Sequence, residues 1–172
     1  ENLKQKKMSG KKITFKLLLF VGIAAFVLQG LTSCNPAPKE KNIGLQLYSV
    51  RDAMKADVAG TVAKVGEMGY KFVETAGYSD GKIYDMEPVE FKELCETNGL
   101  LLLGAHTGQD VPDSANWEST MAWWDVCIDA HASAGVKWIV QPWMGRTGYE
   151  SLDGLKSYCE YFNAVGEKMQ CQ

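Results

Sequence analysis

Three stretches of this chain repeat one design: a glycine, a few residues of entry, an apolar run, then a polar residue. They read Gly69-Tyr-Lys-Phe-Val-Glu74, Gly99-Leu-Leu-Leu-Leu-Gly104-Ala-His106 and Gly135-Val-Lys-Trp-Ile-Val-Gln141. The middle one constrains most. Four consecutive leucines are too few for a helix and lack the alternation of a half-exposed strand, so they predict a strand buried on both faces. Gly104 and Ala105 then clear space where the strand ends, and His106 arrives there. Ile43 to Val50 supplies one more strand, with a loop beginning at Arg51-Asp52. Between the strands lie helical patterns. Asp57 is a fitting N-cap for Val58 to Met68, whose Val58, Val62, Val65 and Met68 share a face. Pro88 suits the first turn of a helix from Glu87 to Thr97, with Phe91, Leu94 and Cys95 inward. Trp117 to Ala134 and Ser151 to Lys168 are the remaining two. Strands starting near 43, 71, 100 and 137 give a period of roughly 30 to 35 residues, the length of a right-handed βα unit in a parallel sheet. The fold class is therefore α/β, with four βα units.

Residues 1–33 stand apart as a signal segment. Lys6, Lys7, Lys11, Lys12 and Lys16 form a basic start, and Leu17 to Leu28 is uncharged but too short for a bilayer, which takes about 20 residues of helix. Leu31-Thr32-Ser33-Cys34 follows and resembles a bacterial lipobox, so Cys34 is expected to be lipidated and to anchor the protein to a membrane in the cell envelope, facing the periplasm. The alternatives are an ordinary anchor and a coincidental cysteine. Residues 34–42, with two prolines, read as an extended tether, and 43–172 as the domain. Cys95, Cys127, Cys159 and Cys171 remain; none forms a CxxC pair, and the first three sit in helical patterns, which predicts buried thiols and no cysteine metal site. The chain holds 18 basic and 21 acidic residues, and residues 1–33 hold six and one of these, leaving 12 and 20, about −8. That balance excludes nucleic acid as a partner.

Ile43 to Asp52 (IGLQLYSVRD), Glu67 to Glu74 (EMGYKFVE) and Gly104 to Gly108 (GAHTG) resemble the sugar phosphate isomerase/epimerase group of xylose isomerase-like TIM barrels. The resemblance covers residues 43 to about 168. A complete (β/α)8 barrel takes about 250 residues, so the expected architecture is the N-terminal (βα)4 half of one. The resemblance implies an isomerase or epimerase that abstracts a proton beside a carbonyl, with a divalent metal (manganese, magnesium, cobalt or zinc) stabilising the enediolate. It also implies that this metal is held mainly by Glu, Asp and His of the second half. No metal or other cofactor is therefore expected to bind residues 1–172 by themselves. An uncovered inner face and open sheet edges lead one to expect dimerisation, aggregation or loose packing.

Glu74 and His106 are the catalytic candidates. Glu74 suits a sugar hydroxyl or a proton, and equally reads as a solvated charge or a capping partner; His106 suits substrate or, as in the nuclease branch of the resembled superfamily, a metal, and equally a structural role. Gln46, Gln141, Trp143 and Arg146 are the substrate-binding candidates. Gln141 both donates and accepts, which suits a hydroxylated ligand, though strand ends use such bonds too. Trp143 suits stacking on a sugar face and Arg146 an anion, unless both merely close their loop. Gln46 and Tyr48 alternate on one face, where packing is the plainer role. His131 reads as structural, and Gly77 to Gly81 lacks the lysine and spacing of a phosphate loop. Two functions compete: part of a metal-dependent isomerase or epimerase acting on an unphosphorylated sugar or derivative outside the cytoplasm, or an inactive or carbohydrate-binding half-barrel from a truncated reading frame.

Overall fold

The computed structural model describes residues 41–170. The signal segment, nearly all of the tether, Cys34 and Cys171 lie outside the described residues. Strand β1 (Gly44–Gln46) passes through a 3-10 turn (Leu47–Val50) into helices α1 (Arg51–Ala56) and α2 (Val58–Glu67). Then come β2 (Phe72–Thr75), the short strands β3 (Tyr78–Ser79) and β4 (Lys82–Ile83), α3 (Pro88–Thr97), β5 (Leu101–His106), α4 (Trp117–Ser133), β6 (Trp138–Val140), α5 (Thr147–Glu150) and α6 (Leu152–Gln170). The main sheet has the order β1-β2-β5-β6, all parallel, while β3 and β4 form a separate antiparallel pair. Four βα units laid side by side in chain order are the expected half of a TIM barrel.

Local chemistry sets the helix boundaries. The Asp57 carboxylate accepts from the Gly60 amide at 2.9 Å and starts α2. Pro88 occupies the first turn of α3. Gly69, Gly99 and Gly135 adopt φ of +90°, +72° and +74°. At Gly99 and Gly135 the next amide reaches back five residues, Leu100 N to the Cys95 carbonyl and Val136 N to the His131 carbonyl, both at 3.0 Å. This closure needs a left-handed residue, which glycine adopts without a Cβ penalty.

Several boundaries depart from the sequence reading. The first strand stops at Gln46, because Leu47 turns under the sheet and is fully buried, with Met54, Val62 and Val73 in the main core. Arg51 begins a helix where a loop was expected, and the loop after β2 holds the β3–β4 hairpin. The Leu100 run is buried on one face only. Leu102 is 6% exposed against the helices, whereas Leu101 is 57% exposed. Its face is the concave side of the sheet, over which the described residues place no layer; Trp138 and Val140 share it, 45% and 37% exposed.

On the helix side, a second core joins Met121, Trp124, Cys127 and Ile128 of α4 to Tyr161 and Val165 of α6. Cys95 and Cys127 are buried as expected, and burial pushes both thiols up to about 12, which leaves them unreactive. Cys159 is exposed, against expectation, since its side of α6 faces away from α4. His131 has the structural place assigned to it. Its Nδ1 donates to the Cys127 carbonyl at 2.7 Å, its ring lies 4.8 Å from that of Tyr78, and its Nε2 is buried without a hydrogen-bond partner among the described residues.

Burial lowers the His131 pKa from its ordinary value of 6.5. The unfolded chain therefore binds the proton at a pH where the folded protein does not, so stability is complete above the unfolded value and falls as pH drops toward the folded one. The unfolding free energy from urea melts between pH 7.5 and 5 should decline by at most about 1.4 kcal/mol per pH unit for this single group. His131→Gln should flatten that slope.

Candidate functional site

In a parallel sheet, ligand sites form at the carboxyl ends of the strands. One hollow of about 830 Å³ is instead lined by residues of α4 and α6 on the helix side, with none from a strand. The sheet has a smaller one of about 170 Å³ on its concave face, lined by Gln46, Phe72, Glu74, Gly104 and Trp138 among others. The chemistry favours the smaller, because only it contains hydrogen-bonding side chains delivered by strands.

Alternation along each strand, together with the register, assigns the concave positions. Gly44 pairs with Phe72, and Gln46 pairs with Glu74. A register shift between Val73 and Glu74 passes over Leu103 and sets Glu74 opposite Gly104. Gly104 is in turn opposite Trp138, and His106 is opposite Val140. Concave side chains thus form tiers, as in a barrel interior. Phe72 is in the lower tier, Gln46, Glu74 and Trp138 are in the next, and His106 is above them at the mouth.

Gln46 Nε2 donates to Glu74 Oε1 at 2.7 Å. The bond fixes the carboxylate and leaves its other oxygen to accept. The His106 ring is 6.3 Å from that of Tyr48, and the Arg51 guanidinium lies over the Tyr48 ring, 4.8 Å from its centroid. Gln46, Glu74 and His106 are therefore brought together at the carboxyl ends of three adjacent strands.

The candidates after β6 are placed differently. Gln141 Nε2 donates to the Trp143 carbonyl at 3.1 Å, and its Oε1 is buried without a donor among the described residues. The same amide lies against Gly108, where a Cβ would stand 1.5 Å from Oε1. Gln141 thus ties the loop after β6 to the loop after β5, and no described contact joins it to Glu74 or His106. Trp143 is half exposed, with its Nε1 donating to Asp110 Oδ1 at 3.1 Å. Arg146 is turned away onto α5, with its guanidinium paired to Glu150 at 2.6 Å.

Sequence reasoning missed Asp110, Tyr158 and Trp138. Asp110 Oδ1 accepts from both Trp143 and the Tyr158 hydroxyl, the latter at 2.8 Å, and Tyr158 also receives the Gly145 amide. Nothing local in the sequence marks this junction, since its partners come from three separate segments. Trp138 did carry a signal: an aromatic inside an apolar strand.

The implied divalent metal does not fit these residues. No group of three or more His, Cys, Asp or Glu capable of holding an ion occurs among the described residues, and the concave tiers offer only Glu74 and His106. Two donors are too few for a protein cage around a divalent ion.

Four βα units with polar side chains gathered at the strand ends make half of a TIM barrel. The chain is similar in that fold to solved sugar phosphate isomerase/epimerases. One solved structure of that description, from Parabacteroides distasonis ATCC 8503, superposes with a TM-score of 0.69 and 29% identity, covering 76% of this chain and 51% of that one. A second from the same organism gives 0.67 and 25%, covering 81% and 51%. A D-psicose 3-epimerase crystallised in the presence of D-fructose shares the fold, with a TM-score of 0.51 and 16% identity over 76% of this chain and 49% of that one. The chain spans about half the length of the solved structures it matches. No family model and no curated protein matches it.

If Asp110 is the junction of the two mouth loops, Asp110→Ala should cost roughly 1.5–3 kcal/mol, the range for hydrogen bonds to a charged group. The near-ultraviolet circular dichroism of Trp143 should weaken with it. An unchanged spectrum and urea midpoint would show that the loops are held by packing alone.

Proposed function

We propose that these residues form the sugar-binding wall of an isomerase or epimerase that acts on an unphosphorylated sugar or sugar derivative. The observation that carries this reading is the Gln46–Glu74 pair beneath His106, in a fold shared at 29% identity with a sugar phosphate isomerase/epimerase. An amide, a carboxylate and an imidazole offer the mix of donors and acceptors that hydroxyl groups need. The half-exposed Trp138 and Trp143 add apolar faces suited to pyranose or furanose carbons. A phosphate is less well served. The charged group of the central tier is a carboxylate, Arg146 is paired to Glu150, and Arg51 is stacked on Tyr48. The reaction is read as metal-dependent, and Glu74 and His106 do not by themselves make its metal site. The part of Glu74 and His106 is to bind and orient hydroxyls.

The test is titration of the full chain with D-fructose, D-glucose and D-fructose 6-phosphate, followed by nuclear magnetic resonance. An unphosphorylated sugar should perturb the resonances of His106 and the concave tier, and Glu74→Gln should weaken it by about tenfold, one charged hydrogen bond. Tighter binding of the phosphate ester would overturn the choice of substrate class. Indifference to all three would remove the sugar reading.

The same proposal places the protein in the cell envelope, anchored through a lipid on Cys34. No helix among the described residues is long and apolar enough to cross a membrane. Radiolabelled palmitate should enter the wild type and not Cys34→Ser, and equal labelling of both would withdraw the anchor.

A further inference from the structure

The ladder that joins β2 to β5 ends at Thr75, and the backbone leaving it is held by one residue. The Ala76 N–H donates to the Tyr84 hydroxyl at 3.1 Å, and the Tyr84 N–H donates to the Gly77 carbonyl at 2.7 Å. Tyr84 thus grips two consecutive residues just beyond Glu74 and Thr75. Its ring lies against Gly77, where a Cβ would stand 2.2 Å from Tyr84 Cε1, so a side chain at position 77 would push the ring away. The same ring packs on Phe91 of α3 with 5.3 Å between centroids, and Phe91 is fully buried in the main core. Burial pushes the Tyr84 hydroxyl up to about 12, so it stays a neutral phenol.

Tyr84 stands where local preference would not put it. Tyr84 and Asp85 adopt φ of +52° and +63°, between Ile83 and Met86, which exchange backbone hydrogen bonds at 3.0 and 3.1 Å. A two-residue turn with both central residues left-handed ordinarily takes Asn-Gly or Asp-Gly. A bulky tyrosine there is an outlier, and such strain persists where surrounding contacts over-determine it. The contacts that do so are the ring on Phe91 and the two bonds to the exit of β2. That exit needs holding, because the pairing of β2 with β5 shifts between Val73 and Glu74 and leaves only Glu74 and Thr75 paired beyond the shift. A bulge disrupts the ladder locally, so the register of so short an end depends on what grips the chain past it.

We infer that Tyr84 is a positioning residue of the site: its hold on Ala76 and Gly77 fixes the slipped end of β2, and with it the direction in which Glu74 presents its carboxylate at the mouth. Gln46 holds that carboxylate from β1, at 2.7 Å. The side chain is set from one neighbour and its backbone from another. As a statement about sugar binding, the inference rests on the reading given above.

The test uses the full chain with ¹³C-labelled glutamate, in which Glu74→Gln identifies the Glu74 carboxyl signal. Tyr84→Phe keeps the ring and takes away the acceptor for the Ala76 N–H. It should shift the Glu74 carboxyl signal and weaken D-fructose binding by about threefold to tenfold, the worth of one hydrogen bond. In the Glu74→Gln background the same change should cost no further affinity, because a residue that acts through the Glu74 carboxylate then has nothing left to position. An equal loss in both backgrounds, wild-type affinity in Tyr84→Phe, or an unmoved Glu74 signal in that folded variant would each overturn the inference. Tyr84→Asn, whose side chain tolerates a left-handed backbone, serves for the same measurements where Tyr84→Phe fails to fold. If the wild type binds neither D-fructose nor D-glucose, the sugar reading falls together with the role in binding built on it. A shifted Glu74 signal in Tyr84→Phe would even then support the placement of Glu74 by Tyr84, and an unmoved one would overturn that as well.

Discussion

Between Val73 and Glu74 the pairing of β2 with β5 slips by one residue, and the concave face of the sheet depends on that slip. Side chains in a strand alternate with period two, so an extra residue changes which of them meet across the sheet. Here it passes over Leu103 and aligns a carboxylate, a glycine and an indole in one row. It also sets Ala105 in register with Thr75 and carries His106 up to the mouth beside Val140. Such bulges are uncommon between parallel strands and concentrate near functional sites, because they re-aim side chains without altering the strands on either side.

The two faces of the sheet obey different rules. Against the helices, Val73, Leu102 and Leu47 are closely packed with Phe91 and Cys95. On the opposite face, hydrogen bonds and aromatic edges do the organising, and apolar groups such as Leu101 stay open. Trp124 connects the two regions at a distance: its Nε1 donates to the Tyr161 hydroxyl at 2.6 Å, and that hydroxyl donates to the Gln109 carbonyl in the loop after β5. A core contact between two outer helices thereby fixes the backbone immediately before Asp110.

Much of this was legible in the residues. The glycines at 69, 99 and 135 announced helix ends because only they adopt the required backbone angles cheaply, and the apolar runs after them announced parallel strands. Glu74 and His106 were found because strand ends are where such sheets expose chemistry. The slip at Leu103 was not legible: four identical leucines carry no mark of which one is passed over. The β3–β4 hairpin was hidden for a related reason, since two-residue strands leave no periodicity to read. Arg146 misled because a cation near a strand end looks the same whether it faces a ligand or, as here, a glutamate one helical turn away. Asp110 could be recognised only once three distant segments met.

Strand order in the main sheet equals sequence order, and that bears on how the chain reaches this state. Gly44 finds Phe72, Phe72 finds Leu101, and Gly104 finds Trp138, so every pairing joins a strand to the one synthesised about 30 residues before it. Loop-closure cost rises only with the logarithm of loop length, and uniform short loops spread it evenly over the assembly. No strand has to wait for a distant partner to be inserted between neighbours already in place. Each βα unit can dock on the edge left by its predecessor as the chain emerges, and that docking leaves a new edge ready for the next.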